Sequence, residues 1–263
     1  MSDPRQELLE CPVCGTHPLI RGTGLFTRPQ RWSQEKPIRW LCSGPSRSGS
    51  TVVFQLMNKF DDGATIKTHA IQQADCPMLL ALKGVICTIR HPYDMFSSLF
   101  YMFKEGNSKD FSIEEDKDII EKFDREFKST VGLIRYKNFV KPLYENLGVE
   151  LCNVIFLKYE ACQKFPELRV KTISEFMGAS LSEAEIKKMS DDHTVEKNLK
   201  RIENGEHRTD DIKGTIKTKN IYFEKNHIGP GMGSSTGRDL PENIKEMIYS
   251  RYKEVFKAFN YEK

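Results

Sequence analysis

A chain of 263 residues, 38% hydrophobic and 29% charged, has enough apolar material for one large α/β domain with its own core and too little length for two full ones. Its 40 basic and 37 acidic residues leave a formal net charge of +3, so nothing in the overall charge demands nucleic acid as a partner. No apolar run approaches the roughly 18 residues that a bilayer-spanning helix needs, and Met1 to Glu10 lacks the apolar core of a signal peptide, so the expected compartment is the cytoplasm.

Seven cysteines, an odd number spread widely along the chain, argue against a disulfide framework and for reduced thiols. Cys11-Pro12-Val13-Cys14, with His17 three residues on, has the spacing of half a zinc site. A structural site needs four ligands and no second C-x-x-C pair follows, so no metal is expected, only a small knuckle or unligated thiols. Residues 1–36, rich in Pro, Gly, Arg and Gln and weakly periodic, read as an extended N-terminal segment laid over a domain at 37–263.

The apolar run Ile38 to Cys42 predicts a first strand, and Val52, Val53, Leu56, Met57 and Phe60 predict a helix from Ser50 to Phe60, stopped by Asp61-Asp62-Gly63. Between them, Gly44 and Gly49 occupy the glycine positions of the phosphate-loop pattern G-x-x-x-x-G-K-[ST], and Thr51 its hydroxyl position. Such a loop binds anions through inward-pointing backbone N–H groups and the positive end of the helix dipole. The lysine position is Ser50, and the cation sits instead within the loop, at Arg47. That removes the point charge that reaches the terminal phosphates of ATP or GTP, which argues against triphosphate hydrolysis.

Ala64 to His69 predicts a short second strand and a βαβ unit of about minimal length, which brings Lys67-Thr68-His69 near the loop. A third buried strand, Gly84 to Ile89, runs into Arg90-His91-Pro92, and Pro92 opens a helix with Met95, Phe96, Leu99, Phe100 and Phe103 as its apolar stripe. Ligands gather at the carboxyl ends of parallel strands, so Lys67, His69 and Arg90 are candidate site residues. An arginine fork at Arg90 suits a phosphate and Ser97 or Ser98 can add a hydroxyl, whereas His91 is expected to face solvent or cap the turn. Ser112 to Gly148 reads as helical scaffold with two apolar stripes, the first including Ile119, Ile120, Phe123 and Phe127, the second Leu133, Tyr136, Phe139, Val140 and Leu143. Val149 to Leu157 predicts a fourth strand ended by Lys158-Tyr159-Glu160, followed by helices at Pro166 to Met177 and Leu181 to Met189. Residues 197–240 show little apolar periodicity, and their glycine-rich run from Asn226 to Arg238 suits a lid closing over an anion. Pro241 then opens the last helix.

Strand ends that carry cations, without a triphosphate lysine, point to a nucleotide other than a magnesium-bound triphosphate. Four segments carry a closer likeness: Ser46-Arg47-Ser48-Gly49-Ser50-Thr51, Ile66-Lys67-Thr68-His69, Ile89-Arg90-His91-Pro92 through Ser98, and Leu157-Lys158-Tyr159-Glu160. In their order and context the chain, over roughly residues 38 to 258, resembles the sulfotransferases that use 3′-phosphoadenosine 5′-phosphosulfate (PAPS). The resemblance implies an α/β fold: a three-layer sandwich with a central, mostly parallel sheet and a P-loop-like phosphosulfate-binding loop.

It also implies roles. Arg47, Ser48, Gly49, Ser50 and Thr51 would hold the 5′-phosphosulfate, and Arg90 with Ser98 the 3′-phosphate. Lys67-Thr68-His69 resembles the family's K-[ST]-H triplet, in which the histidine is the general base. Thr194 resembles the segment that touches adenine, and His227, Ile228 and Gly229 the start of a late phosphate-binding loop. Val52 departs from the tryptophan that cytosolic members often place against adenine, and the connection from Thr51 to Lys67 is much shorter than in the steroid and phenol enzymes, so a different or more open acceptor site is expected.

The expected reaction is transfer of a sulfuryl group from PAPS to a hydroxyl or amine of a small-molecule acceptor. Arg47 and Lys67 would stabilise the leaving phosphate, His69 would take the proton, and no metal is required. The acceptor pocket is expected among side chains such as Tyr93, Phe96, Phe100 and Tyr101 or in the lid. Two other readings stand beside this one. A P-loop kinase would bind Mg-ATP, against which Ser50 argues; a non-catalytic scaffold would bind PAPS or its product PAP and be indifferent to His69→Ala.

Overall fold

The computed structural model describes residues 38–61, 64–71, 82–106, 117–148, 150–194, 196–198, 200, 204 and 240–263. Four short apolar runs become strands: β1 (Trp40–Ser43), β2 (Thr65–Lys67), β3 (Gly84–Ile89) and β4 (Asn153–Lys158). They form one sheet in the order β2-β1-β3-β4, every pair parallel. The register sets Leu41 beside Ile66 and Val85, and Val85 beside Val154, so the carboxyl ends of all four strands lie along one edge.

Parallel strands need crossovers: α1 (Ser50–Phe60) lies between β1 and β2, and α2 (Pro92–Gly106), α3 (Lys117–Arg135) and α4 (Lys141–Asn146) between β3 and β4, while α5 (Tyr159–Lys164), α6 (Pro166–Phe176), α7 (Glu183–Asp192) and α8 (Glu242–Phe259) follow the last strand. Alternation along the strands sorts the core into two faces. Trp40, Cys42 and Ile86 point to the side of α1 and α6, where they meet Phe54, Leu56, Val170 and Ile173. Leu41, Val85, Cys87 and Val154 point the other way, onto Leu133 and Tyr136. Next to that second face, α2, α3 and α8 bury a cluster of rings that includes Phe96, Phe123, Phe127, Tyr252 and Phe256. Helices on both faces of a parallel sheet make the three layers expected from the sequence.

Several boundaries differ from expectation for identifiable reasons. β2 stops at Lys67: Thr68 N–H still reaches the Cys42 carbonyl at 3.0 Å, but the Thr68 hydroxyl turns to the Ala70 carbonyl at 2.7 Å and the chain leaves the sheet. β4 begins at Asn153 and not at 149, because Leu151 and Cys152 are buried outside the ladder, with the Tyr136 hydroxyl donating to the Cys152 carbonyl at 3.0 Å. The long helical stretch is interrupted by a π turn at Tyr136–Val140. One extra residue in that turn rotates the next stretch of helix off the core, so Phe139 and Leu143, expected in a buried stripe, stand exposed with Leu147.

Candidate active site

The turn from β1 into α1 takes its shape from two glycines. Gly44 has φ +135°, and a Cβ there would stand 2.4 Å from the Thr88 carbonyl oxygen, a backbone atom that cannot swing aside. Gly49 has φ +83°, and its Cβ would lie 2.7 Å from the ring of Tyr159. Between them Arg47 also takes a left-handed conformation, φ +69°, which an L side chain adopts at a cost of about 1–3 kcal/mol. Successive amides in such alternating conformations form an anion-binding concavity. Gly49 is the N-cap of α1 and no side chain caps the helix, so the N–H groups of its first turn stay available for an anion.

The loop is pinned from below. The Ser48 hydroxyl, 1% exposed, donates to the Pro45 carbonyl at 2.5 Å and meets the Thr88 hydroxyl at 2.6 Å. Ser48 therefore anchors the loop through its side chain. Ser46 turns the other way: its N–H and its hydroxyl donate to the two carboxylate oxygens of Glu126 on α3, at 2.7 and 2.9 Å. Burial raises the pKa of Glu126, and the two Ser46 hydrogen bonds, with Lys122 and Arg125, pull it back.

Around this loop the structure assembles the three expected catalytic side chains. Lys67, the last residue of β2, donates from Nζ to the Thr51 hydroxyl at 2.7 Å. His69 places Nδ1 3.0 Å from the Gly44 carbonyl. A carbonyl only accepts, so Nδ1 carries the hydrogen and Nε2 is the basic nitrogen of the neutral ring. Arg47 donates from Nε to the Ser98 hydroxyl on α2 at 2.8 Å. Cys42 lies beneath the same loop, with Sγ 3.4 Å from the Ser50 carbonyl; burial pushes its thiol up to about 12, so it is no nucleophile at neutral pH.

Arg90 follows β3 directly and is 5% exposed. Its guanidinium lies over the Tyr159 ring, 4.7 Å from the centroid, and 3.8 Å from the Asp94 carboxylate. Tyr159 thus stands between Arg90 and Gly49. Ser98 accepts from Arg47, and no contact among the described residues joins it to Arg90, its expected partner. His91 caps the turn as expected: its Nδ1 accepts from the Tyr93 N–H at 3.3 Å, and its ring packs between Tyr93, Phe256 and Tyr261.

Thr194 is exposed and accepts from the Lys197 N–H at 3.2 Å, and no contact among the described residues ties it to the loop. His227, Ile228 and Gly229, the rest of the glycine-rich run, and Cys11, Cys14 and His17 lie outside the described residues, as does the side chain of Tyr101. The expectation for the acceptor pocket is corrected in part: Tyr93, Phe96 and Phe100 are 5%, 1% and 7% exposed and fill the ring cluster under α8 instead of lining an opening. Sequence reasoning missed Glu126 and Arg169, and it named Tyr159 within Leu157-Lys158-Tyr159-Glu160 without giving it a role. Glu126 carried one signal, a charge on the stripe of Ile119, Phe123 and Phe127; Arg169 carried a similar one beside Val170 and Ile173.

A parallel sheet with helices on both faces and a glycine-shaped turn after its first strand, with Arg47 and Lys67 beside that turn, defines an α/β protein. Comparison then gives the family: the family model described as "Sulfotransferase domain" matches residues 40–258, and the chain belongs to the sulfotransferase family. Among solved structures it is similar to mouse sulfotransferase SULT7A1 complexed with PAP, at 15% identity and a TM-score of 0.57, over 86% of this chain and 87% of that one. That likeness is one of fold. No curated protein sequence matches the chain.

Proposed function

We propose that this protein transfers a sulfuryl group from PAPS to a hydroxyl or amine of a small-molecule acceptor. The observation that carries the reading is the convergence of Arg47, from the turn after β1, with Lys67 and His69, from the end of β2, on one helix N-terminus that no side chain among the described residues caps. The PAP held by the mouse relative supports PAPS as the donor. The residues present fit it: Gly44 and Gly49 leave no room for side chains, no side chain among the described residues caps the first turn of α1, and cations flank it.

In this reading the 5′-phosphosulfate sits at Arg47, Ser48, Gly49, Ser50 and Thr51, the backbone supplying most donors because the Ser48 hydroxyl is committed inward. PAPS supplies the sulfuryl group, whose bond to the 5′-phosphate oxygen breaks as the acceptor oxygen or nitrogen binds sulfur. Negative charge then grows on that phosphate, and Lys67 and Arg47 are positioned to stabilise it. The Gly44 carbonyl fixes the tautomer of His69, so Nε2 takes the acceptor's proton. Arg90 serves the 3′-phosphate, with Ser98, Thr194 and the segment from His227 to Gly229 completing the donor site.

The test is radiolabelled PAPS offered with phenols, alcohols, amines and carbohydrates. Transfer to at least one class is expected, and His69→Ala should lower kcat by about 100- to 10,000-fold while leaving PAP affinity nearly unchanged. Tight PAP binding without transfer to any acceptor would favour a non-catalytic scaffold.

A further inference from the structure

The buried face of α3 is apolar at Ile119, Phe123, Phe127 and Leu133, but Glu126, Ser129 and Thr130 are buried on it as well. Polar side chains inside a packed face are unfavourable unless hydrogen-bonded, and serine and threonine are poor choices for a helix interior. Thr130 bonds within the helix, its hydroxyl donating to the Glu126 carbonyl at 3.3 Å. The other two reach out to the candidate site. Glu126 holds Ser46 in the turn after β1, and Ser129, about 4.5 Å further along the helix axis, accepts from the Ile71 N–H at 2.9 Å. Ile71 ends the segment that carries His69. The Thr68 N–H fixes the start of that segment on the Cys42 carbonyl, so His69 stands between one backbone anchor on β1 and another on α3.

We infer that Ser129 is a positioning residue for His69: α3, through Glu126 and Ser129, sets the distance between the donor loop and the general base. The inference rests on the proposed function, which gives His69 the acceptor's proton. The Gly44 carbonyl fixes the tautomer of the ring, but a bond at Nδ1 does not by itself settle where Nε2 stands. That depends on the backbone from Thr68 to Ile71. The Ile71 side chain shares a buried cluster with Leu41, Val85 and Leu133, and apolar packing is non-directional. It holds the segment down without fixing its advance along α3. The directed bond from the Ile71 N–H to Ser129 does fix it, on the same helix that holds the loop. A misplacement of about 1 Å at a catalytic group costs about 100-fold in rate, so this register bears on the reaction and not on donor binding.

The experiment measures kcat with PAPS, and PAP affinity by calorimetry, for wild type, Ser129→Ala, His69→Ala and the double variant, with the fastest acceptor from the panel of phenols, alcohols, amines and carbohydrates. Ser129→Ala is expected to lower kcat by about 10- to 100-fold with PAP affinity unchanged. In the His69→Ala background the same change is expected to do nothing further to kcat, because a residue that acts only through His69 has no effect once the imidazole is gone. A lowered Tm with unchanged kcat would mean that Ser129 only satisfies a buried amide. Equal losses of kcat with and without His69, or a matching loss of PAP affinity, would mean general damage to the site; any of these overturns the inference. Should Ser129→Ala fail to fold, Ser129→Cys, of similar size and a weaker acceptor, takes its place in the same cycle. A wild type that transfers to no acceptor would overturn the proposed function and this inference together, and the wild-type and His69→Ala rates tell the two failures apart.

Discussion

Glu126 sets a carboxylate against a loop built for anions. Both of its oxygens are engaged by Ser46, so the first donors of the turn are spent on holding it to α3, and the donors left for a ligand begin after Ser46. Replacing Glu126 by alanine leaves a buried N–H and hydroxyl unpaired and should cost about 1–3 kcal/mol of stability, with weaker PAP binding as the loop loses its shape. The glutamine variant separates the charge from the bond. Burial raises the Glu126 pKa above the ordinary 4.5, so between that value and its raised one the native state holds the proton more tightly than the unfolded chain. The contribution of this group is therefore greatest below 4.5 and declines as pH rises through the raised pKa. Tm curves of wild type and Glu126→Gln should run together at low pH and separate above it, the variant the more stable; parallel curves from about pH 4 to 8 would count against the shift. The site residues legible in the sequence, Arg47, Lys67 and His69, all stand in or beside the ends of strands that pair with one another. Glu126 is 80 residues from its partner, on a helix whose local spacing says only that one face is buried.

At the level of elements, the site is held together where strand ends meet the first turns of helices. Glu160, in the first turn of α5, accepts from the His91 N–H at 2.8 Å and from the Tyr261 hydroxyl at 3.0 Å. Lys158 at the end of β4 donates to the Phe259 carbonyl at 2.7 Å and lies over the Tyr261 ring. One carboxylate thus ties the turn that carries Arg90 to the end of β4 and to the chain following α8. Glu160→Ala breaks both bonds and should cost about 1–3 kcal/mol, which for a domain of this size is a fall in Tm of about 2–10 °C. PAP affinity should fall with it, because Arg90 loses its support. Tyr261→Phe removes one of the two bonds and should show a smaller fall; equal effects would mean that the His91 bond carries nothing. The helix starts at Ser50 and Pro92 and the strand Gly84–Ile89 are legible to the residue, since proline, glycine and unbroken β-branched runs act locally. The ends of β2 and β4 and the π turn at Tyr136–Val140 are not, because partners distant in sequence, Cys42 for Thr68 and Tyr136 for Cys152, decide where pairing stops.

For the molecule as a whole, a net charge of +3 gives no general attraction for polyanions; the proposed function puts the attraction at one edge of one sheet. In the proposed reading a ligand bound there bridges the turn after β1, the end of β2 and the start of α2, adding to the bonds that Arg47, Lys67 and His69 already make between them. Anything that binds only the native state stabilises it by mass action, about 2.7 kcal/mol at a hundredfold excess over Kd. For a domain of this size that is a rise in Tm of about 5–10 °C. PAP should produce it without added metal, and 5′-AMP should produce less, because Arg90 then has no 3′-phosphate to meet. Mg-ATP should leave Tm unchanged at the same concentration, since Ser50 stands where a triphosphate site places its lysine. A shift with Mg-ATP equal to that with PAP would return the loop to the kinase reading, and with it the roles given to Arg47 and Lys67 would fall.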